Sequence, residues 1–191
     1  MEEWVARALR RWPNVPALYG WLSLDRRGRW LIKGEHITRP QIIDTINPNY
    51  AADARGCWYF QNGPQRGYVS LEYAPLHLRI NGAGQLMAHT GVSVDSVDAV
   101  YLDENGALLL ESNLGPGLLD DQDLAWALSH LLVDGHDIDE AQLANALDRS
   151  SGSDTSLKFN FMGHEAPVRR CDFAHIPARL GFVREPQPEQ T

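Results

Sequence analysis

The sequence predicts an α+β protein made of two related β-rich halves, each an antiparallel sheet with one covering helix, preceded by an N-terminal helix. The first observation behind this is a repeated segment. Glu72-Tyr73-Ala74-Pro75-Leu76 returns as Asp172-Phe173-Ala174-His175-Ile176, which is an acid, an aromatic, Ala, any residue, and Leu or Ile. A turn glycine precedes each copy, Gly63 in one and Gly163 in the other. Finally, the order hairpin, helix, hairpin can be traced twice, which indicates an internal duplication.

The predicted domain boundaries follow from this order. Residues 1–17 form the N-terminal helix, and residues 18–92 form the first β-rich repeat. Residues 93–184 form the second repeat, with a helical insertion at 118–149. Residues 185–191 form a polar tail.

The N-terminal helix is predicted from apolar residues at helical spacing, namely Trp4, Val5, Ala8, Leu9 and Trp12. Prolines at positions 13 and 16 end it. This seam is too aromatic to stay in water, so it packs on the body of the chain or on a second copy in a homodimer. Core packing is the favoured interpretation.

The first half begins with a hairpin over residues 18–34, whose tight turn at 25–28 contains a Gly suited to positive φ. A helix follows, in which Thr38 is the expected N-cap, Pro40 lies in the first turn and residues 42–46 give the apolar face. A second hairpin covers residues 58–73. The alternating residues 76–80 predict a half-buried strand that turns at 81–82.

The second half repeats this order. Residues 100–110 match the first hairpin, and Asp120 takes the N-cap place of Thr38. The helix over 124–132 is expected to be the longer of the two. An inserted short helix follows within residues 134–149. Residues 150–156 are expected to form a flexible loop, and residues 157–173 the last hairpin.

Composition places the chain among soluble globular proteins. Of its 191 residues, 43% are hydrophobic and 22% are charged. No apolar run reaches the roughly 20 residues that cross a bilayer, and the start lacks the pattern of a signal peptide. A cytoplasmic location and no membrane partner are therefore expected.

Charge is distributed unevenly behind the net value of -8. Residues 1–79 contain eleven Lys/Arg and seven Asp/Glu, whereas residues 92–149 contain thirteen Asp/Glu and one cation, Arg149. The acidic stretch repels phosphates, so nucleic acid is not an expected partner. No phosphate-binding loop or other cofactor motif is found, and no cofactor is expected.

The cysteines and histidines offer little metal chemistry. Cys57 and Cys171 are expected to be buried reduced thiols rather than a disulfide. His164, Cys171 and His175 form the nearest approach to a metal set, but their spacing is looser than that of zinc sites. No metal is predicted.

Glu72 and Asp172 are the most informative pair, because the repeat assigns them equivalent positions. If the halves face each other, these carboxylates meet at the interface and one acquires a raised pKa. The favoured alternative is that each carboxylate pins its own hairpin through backbone N–H groups. The candidate ligand-binding residues around this interface are His36, Arg39, Trp58, Glu72, Tyr73, His77, Asp172 and His175.

Several motifs resemble those of an uncharacterised bacterial family of duplicated β-rich proteins. They are Arg29-Trp30, Gly34-Glu35-His36-Ile37, Arg39, residues 42–46, Tyr59 and Leu71-Glu72-Tyr73-Ala74-Pro75. In that family an aromatic-Gly-X-X-Ile turn precedes the helix, and a Val-Glu-Asp-Ala-Pro segment follows the second hairpin. The resemblance implies two related halves, the second like a pleckstrin-homology domain, with a binding site for signalling between them. Tyr73 stands here where the family has Asp.

These observations predict a non-enzymatic binding or signalling module that recognises a small ligand, a peptide or a protein partner at the interface of its halves. The alternative is a hydrolase that uses Glu72 or Asp172 with a histidine as acid and base. The two predictions differ in geometry. A hydrolase requires at least two titratable side chains within about 3 to 4 Å of each other in a pocket.

Overall fold

The chain divides into two units, each with its own β-sheet. The computed structural model describes residues 15–188 together with Glu3, Arg7 and Arg11, which are helical and exposed. The first unit contains the residues up to 75, residues 89–91 and those from 181 onward, and the second contains residues 76–88 and 92–180. The seam predicted for the N-terminal helix and the last three residues of the tail lie outside the described residues. None of the described helices is long and apolar enough to span a membrane.

The first unit is built on a six-stranded sheet of order β3-β2-β1-β6-β5-β4. Its strands are β1 (Leu18–Leu24), β2 (Trp30–Ile32), β3 (Glu35–His36), β4 (Tyr50–Ala52), β5 (Trp58–Asn62) and β6 (Gln65–Leu71). Helix α1 (Pro40–Ile46) connects β3 to β4 and continues into a 3-10 turn, Asn47–Asn49. Both predicted hairpins are therefore confirmed, and the two-residue strand β3 is an addition.

The second unit is built on a nine-stranded sheet of order β13-β12-β14-β15-β9-β10-β11-β7-β8. Its strands are β7 (Leu76–Ile80), β8 (Leu86–Ala88), β9 (Val97–Leu102), β10 (Leu108–Ser112), β11 (Gly115–Leu119), β12 (Leu131–Val133), β13 (His136–Asp137), β14 (Asp154–Phe161) and β15 (His164–Arg170). Its helices are α2 (Leu124–Leu128), α3 (Glu140–Leu147) and α4 (Ile176–Leu180). The α+β class is confirmed.

The prediction that the sheets are antiparallel is wrong in one respect. Three strand pairs run parallel: β1 with β6, β9 with β15, and β7 with β11. Parallel neighbours need a long connection between them, and each of these pairs is separated in sequence by at least one other hairpin. Both sheets are therefore mixed.

The start of α1 differs from the prediction by one residue. The N-cap is Arg39 and not Thr38, and its side chain makes no capping hydrogen bond. A residue before proline is pushed away from helical φ and ψ, and Arg39 accordingly has φ −83° and ψ 113°. Pro40 occupies the first turn, as predicted.

Four details of the second unit also correct the prediction. Asp120 is an N-cap, accepting a hydrogen bond from the Gln122 N–H at 2.9 Å, but the helix that follows ends at Leu128 and is shorter than α1. The leucines at 131 and 132 belong to strand β12. The inserted helix α3 begins with a capping box formed by Asp139 and Gln142. The predicted loop over 150–156 gives way to β14 at Asp154, and α4 was not foreseen.

Strands β7 and β8 belong to the second sheet, although the sequence boundary at residue 92 assigned them to the first repeat. Leu118 of β11 pairs in parallel with His77 of β7, and Leu78 pairs with Ala88 of β8. Local periodicity identified both strands, but only long-range pairing decides which sheet receives them.

One hairpin turn occurs four times among the described residues. An Asp or Asn accepts hydrogen bonds on its Oδ1 atom from the N–H groups two and four residues later, at 2.7 to 3.0 Å. A Gly three residues after it has φ between 72° and 80°, which an L side chain rarely adopts. The turns begin at Asp25, Asp53, Asn81 and Asp103.

In both units the strand before the Asp turn pairs in parallel with the last long strand of the unit. The register of this pairing differs by one residue from the alignment that the sequence repeat suggested. Leu24 pairs with Leu71, and Leu102 pairs with Arg170. The next N–H, that of Glu72 or of Cys171, donates to the Leu24 or the Leu102 carbonyl at 3.0 Å in both cases. Glu72 therefore corresponds to Cys171, and the equivalence of Glu72 with Asp172 is wrong.

The hairpin turns give the same offset. Asn62 pairs with Gln65, and Phe161 pairs with His164, so Gly63 corresponds to Met162 and not to Gly163. The two corresponding residues have φ values of 57° and 52°. A left-handed residue is required at this position in both hairpins, and only the first unit supplies glycine.

Candidate functional site

The eight predicted site residues divide between the two units. The first unit contains His36, Arg39, Trp58, Glu72 and Tyr73, and the second contains His77, Asp172 and His175. Each residue can therefore be placed within its own unit.

A cleft of about 350 Å³ opens in the first unit between the β1–β2 turn and the start of α1. Its polar lining comes from Arg29, His36, Thr38 and His89, and its apolar lining comes from Trp30, Ile37 and Ile43, with Gly28 at the turn. Of the predicted site residues, His36 lines this cleft. Arg39 follows Thr38 directly and is exposed.

Asp25 organises the charged groups at the mouth of the cleft. Its Oδ1 atom accepts the N–H groups of Arg27 and Arg29 at 2.9 and 2.8 Å. Its Oδ2 atom accepts the Arg29 Nε–H at 2.7 Å and lies 3.4 Å from the His36 Nε2 atom. The turn thus fixes one carboxylate, and the carboxylate fixes a guanidinium and an imidazole beside the cleft.

The ionisation of Asp25 follows from these contacts. Burial raises its pKa, but the backbone and side-chain hydrogen bonds from Arg29, with those from Arg27 and His36, hold the pKa below its ordinary value. The carboxylate is therefore charged at neutral pH. Arg29 balances this charge while 58% of its side chain remains exposed.

A cluster of rings supports the cleft from inside the unit. The Trp30 Nε1–H donates to the Asn47 Oδ1 atom at 2.9 Å, and the Asn47 amide donates to the His89 carbonyl at 3.3 Å. The Trp30 ring lies 5.4 Å from the His89 ring and meets Tyr50 edge-on at 4.9 Å. Burial raises the pKa of Tyr50 well above its ordinary value, so this hydroxyl stays neutral. The ring cluster fixes one wall of the cleft.

Trp58 belongs to this cluster and not to the surface. Its side chain is buried, and its ring lies 4.8 Å from that of Tyr50. It is not among the residues that line the cleft. Its position is that of a core residue.

Glu72 and Tyr73 stabilise the segment after β6. The Glu72 carboxylate accepts the Arg26 N–H at 2.9 Å, which ties this segment to the β1–β2 turn. Tyr73 is buried, with the guanidinium groups of Arg26 and Arg184 at 5.8 and 5.9 Å from its ring. Glu72 therefore binds a backbone N–H group, as the favoured alternative predicted, but this group belongs to the β1–β2 hairpin and not to the hairpin that Glu72 follows.

The second unit has a corresponding hydrogen bond in which the positions of the acid and the N–H group are reversed. There the carboxylate of Glu104, in the β9–β10 turn, accepts the Phe173 N–H at 2.8 Å. Asp172 instead pairs with Arg170, its Oδ1 atom 2.8 Å from the guanidinium. The acid follows the last strand in the first unit and lies in the turn in the second, so the two links use acids at non-equivalent positions.

His77 is buried in the second unit. Its Nε2 atom lies 3.1 Å from the Asp120 Oδ2 atom, and Arg79 reaches the same oxygen at 3.5 Å. Burial raises the pKa of Asp120, but the Gln122 N–H, the Asp121 side chain and the charges of His77 and Arg79 bring it below its ordinary value. His77 therefore compensates a buried carboxylate.

Asp172 and His175 lie at the start of α4 beside Ser151. The Ser151 Oγ atom accepts the Asp172 N–H at 2.9 Å and lies 3.1 Å from the His175 Nδ1 atom. The His175 N–H donates to the Asp172 carbonyl at 2.8 Å. These bonds close the turn that leads into α4.

Neither the cysteines nor the metal candidates form a bonded group among the described residues. Cys57 and Cys171 are buried and form no disulfide, and burial raises the pKa of each thiol. His164 begins β15 and Cys171 follows its last residue, so the two are roughly 23 Å apart at the rise of an extended strand. Within the described part of the chain, no group of three or more His, Cys, Asp and Glu could hold a metal ion.

Of the residues that line the cleft, sequence reasoning selected His36 and missed the others, and it also missed Asp25; the missed lining residues are Gly28, Arg29, Trp30, Ile37, Thr38, Ile43 and His89. Asp25 carried a usable signal, because the pattern Asp or Asn, two residues, Gly occurs at all four turns, and only this copy is followed by Arg. His89 carried no usable sequence signal, because its place in the first unit depends on the path of the chain after β8.

Comparison with known proteins supports the fold. Among solved structures, the chain resembles a DUF1285 family protein from Silicibacter pomeroyi DSS-3, with 14% sequence identity, a TM-score of 0.55, and coverage of 82% of this chain and 84% of that chain. A DUF1285 family protein from Shewanella baltica OS155 matches with 15% identity and a TM-score of 0.44, covering 55% of this chain and 87% of that chain. No curated protein sequence matches the chain.

A family model provides the broadest match. The model described as "Protein of unknown function (DUF2946)" matches residues 1–187. Because this match covers nearly the whole sequence, the chain belongs to this family of proteins of unknown function.

Proposed function

We propose that the chain is a cytoplasmic, non-enzymatic binding module that recognises a small ligand or peptide in the cleft of its first unit. One observation carries the proposal. A cleft of about 350 Å³ combines an apolar floor with a small number of oriented polar groups, which is the usual make-up of a small-molecule site.

The chemistry of the cleft favours an amphipathic ligand with an anionic group. Ile37, Ile43 and the Trp30 ring offer apolar contact, while Arg29 and His36 stand at the mouth. The surrounding stretch, residues 25–40, contains five Lys/Arg and two Asp/Glu. A guanidinium already oriented by Asp25 loses less side-chain freedom when it binds a carboxylate, so affinity is gained by preorganisation.

A matched pair of variants tests this proposal. Ile43 lines the cleft, whereas its neighbour Ile42 lines a separate groove on the other side of α1. We expect the wild-type protein and Ile42→Glu to retain a small molecule from a low-molecular-mass extract of the host. Ile43→Glu should lose it, because a carboxylate in the cleft repels an anion and removes apolar contact. Native mass spectrometry of the three proteins measures the retained mass.

Retention by Ile43→Glu equal to that of the wild-type protein contradicts the proposal. Thermal unfolding of the two variants without extract serves as the control for folding. Loss of binding by Ile43→Glu is evidence for the site only if this variant unfolds cooperatively at a temperature close to that of Ile42→Glu.

A hydrolase is the second candidate, and one observation favours it. Asp25 and His36 bring a carboxylate and an imidazole within 3.4 Å of each other at the cleft, which is the geometry an acid–base pair needs. The lowered pKa of Asp25 opposes it, because such a carboxylate is a weak base near neutral pH. Turnover of ester or phosphoester substrates that His36→Ala and Asp25→Asn both abolish would support the hydrolase.

The proposal includes an internal duplication and a pleckstrin-homology-like second unit with a role in signalling. The duplication is supported by the common register of the central parallel strands and by the Asp turns at 25 and 103. The likeness to a pleckstrin-homology domain is supported by a sheet of many strands followed by a C-terminal helix, α4, whose Ile176 is fully buried.

A further inference from the structure

The second unit contains a pocket of its own, beside strand β8 and the tip of the β14–β15 hairpin. Its volume is about 220 Å³. Leu86 contributes to the lining from β8, residues 93–95 from the segment that follows β8, and Phe161 and Met162 from the hairpin tip. All of these residues belong to the second unit, so the pocket shares no residue with the cleft of the first unit.

The apolar part of the lining is fixed to the core of the second unit. Leu86, Val94 and Phe161 are buried. The Val94 N–H donates to the Leu86 carbonyl at 2.9 Å, which holds the segment after β8 against this strand. The Phe161 ring lies nearly parallel to that of the fully buried Phe159, with the ring centroids 6.5 Å apart. The pocket therefore presents a preformed apolar surface to a ligand.

Asp95 adds an exposed carboxylate to this lining. Its N–H donates to the Asn113 Oδ1 atom at 2.9 Å, so the backbone at this position is held in place. The Ser93 hydroxyl donates to the Asp95 Oδ1 atom at 3.4 Å. Within the part of the chain that the structure describes, no Lys, Arg or His side chain forms an ion pair with this carboxylate. A cationic ligand can therefore pair with it.

The charge of the surrounding sequence also favours a cation. Residues 92–149, which include Asp95, contain thirteen Asp/Glu and one Lys/Arg, Arg149. A region with this balance attracts cations and repels anions. The pocket thus suits a ligand of the opposite charge to the one proposed for the cleft.

Met162 lines the same pocket in an unfavourable backbone conformation. Its φ of 52° lies in the left-handed region, which is strained for an L side chain, and the side chain is 80% exposed. The corresponding residue of the first unit is Gly63, with φ 57°. Strained residues other than glycine cluster at ligand-binding sites. A methionine side chain is unbranched and flexible, so it can adapt to the shape of an alkyl ligand.

We propose that this pocket binds a small organic cation, a primary ammonium group on a short alkyl chain. The Asp95 carboxylate accepts the ammonium N–H groups in charge-assisted hydrogen bonds, and the buried apolar residues contact the alkyl chain. Met162 folds over this chain from the open side. The volume of the pocket is below the roughly 300 to 1,000 Å³ of sites for drug-sized ligands, which limits the chain to a few carbon atoms. This inference is independent of the ligand in the cleft.

NMR titration of the full chain tests the proposal, with n-butylammonium chloride as the probe. Sodium butyrate, a chain of the same length with the opposite charge, is the control. We expect saturable shifts of the Met162 ε-methyl signal and of the Asp95 amide with n-butylammonium and none with butyrate. Asp95→Asn should weaken the affinity about tenfold, because the acceptor loses its charge. Asp98→Asn, which removes an exposed charge outside the pocket lining, should leave the affinity nearly unchanged.

A second variant, Met162→Gly, separates binding from folding. We expect it to weaken n-butylammonium binding about threefold, because contacts with the alkyl chain are lost. The same change relieves the backbone strain, so the fold should become more stable while the affinity falls. Thermal unfolding of each variant without ligand verifies that it is folded.

Three results overturn the proposal. The first is a shift of the Met162 methyl signal that butyrate produces as strongly as n-butylammonium. The second is an affinity that Asp95→Asn leaves equal to that of the wild-type chain. The third is a shift that does not saturate, because it then reports the solvent and not a site. None of these results bears on the cleft, which the Ile43→Glu variant tests separately.

Discussion

Each unit contains a histidine beside an aspartate, and the two pairs differ in exposure. In the first unit, His36 lies 3.4 Å from Asp25, and 44% of the His36 side chain is exposed. In the second unit, His77 lies 3.1 Å from Asp120, and the two side chains are 5% and 6% exposed. A pair that water cannot reach is a structural element, whereas a pair at the mouth of a cleft can meet a ligand.

The hairpin turns of the two units also differ in burial. Asp25 and Asp103 form the same hydrogen bonds with the backbone that follows them. Asp103 is fully buried and is followed by Ala107, whereas Asp25 is followed by Arg29 at the equivalent position. The turn therefore stabilises a hairpin in both units. The first unit differs because Arg29 and His36 contact the turn aspartate.

The largest expected effect separates the two histidines. His77→Ala removes the buried imidazole from a buried, charged Asp120 and leaves the exposed Arg79 as its cationic partner, so we expect the free energy of unfolding to fall by about 2 to 4 kcal/mol. His36→Ala removes an exposed contact and should cost less than about 0.5 kcal/mol. Equilibrium denaturation in urea measures both. Equal losses would remove the distinction between a structural pair and an open pair.

The next effect compares the two turns. Asp103→Ala removes a fully buried carboxylate and leaves the partly buried Asn105 and Ala107 N–H bonds without their acceptor, which should cost about 2 to 3 kcal/mol. Asp25→Ala frees N–H groups that water can reach, and the cost should be about 1 kcal/mol. A loss for Asp25→Ala at least as large as that for Asp103→Ala would show that the exposed turn is as structural as the buried one.

Acid titration should sharpen the comparison further. The folded-state pKa of Asp25 lies below its ordinary value, as does that of Asp120. The stabilisation is therefore complete above the unfolded pKa of about 3.9 and is lost as the pH falls through the folded pKa. Asp25→Asn and Asp120→Asn should each flatten the fall in stability below about pH 4.

Salt distinguishes the two carboxylates in that titration. The contribution of Asp25 should weaken in 1 M salt, because its partners Arg29 and His36 are exposed, whereas that of Asp120 should persist. Acid unfolding followed by tryptophan fluorescence at two salt concentrations provides the measurement. Identical salt dependence would contradict the difference in burial.

The smallest effect concerns the hairpin tips. Met162 has φ 52° and is 80% exposed, and it stands where the first unit has Gly63. Met162→Gly should raise the free energy of unfolding by about 0.5 to 1 kcal/mol, and Gly63→Ala should lower it by a similar amount. Thermal unfolding measures both. A destabilised Met162→Gly would mean that the methionine makes contacts that offset its backbone strain.

Local rules explain what the sequence could predict. The hairpins at 25–28 and 103–106 and the helix start at Asp120 depend on neighbours along the chain, such as a Gly at positive φ or a carboxylate near free N–H groups. The assignment of β7 and β8 to the second sheet, and the parallel pairing of β1 with β6, depend on distant partners and could not be predicted.

The candidate site shows the same limit. The sequence selected His36 as a candidate site residue, and His36 lines the cleft, but its partner Asp25 was seen only as a turn residue. The repeat that suggested Glu72 and Asp172 is offset by one position from the strand register, and the acid that binds the backbone is Glu72 in one unit and Glu104 in the other. Glu72 and Asp172 match in the sequence alignment, but they do not occupy equivalent positions in the paired strands.

The measurement that most directly tests the central claim, a ligand site in the cleft of the first unit, is an NMR screen of the full chain. The probes are small aromatic carboxylates and short acidic peptides, and the signals are the backbone amides and the Trp30 indole N–H. We predict saturable shifts concentrated at Gly28, Arg29, Trp30 and Ile43, which weaken in Ile43→Glu and persist in Ile42→Glu. Shifts that instead concentrate around Ser151 and His175, or that Ile43→Glu leaves intact, would contradict the account.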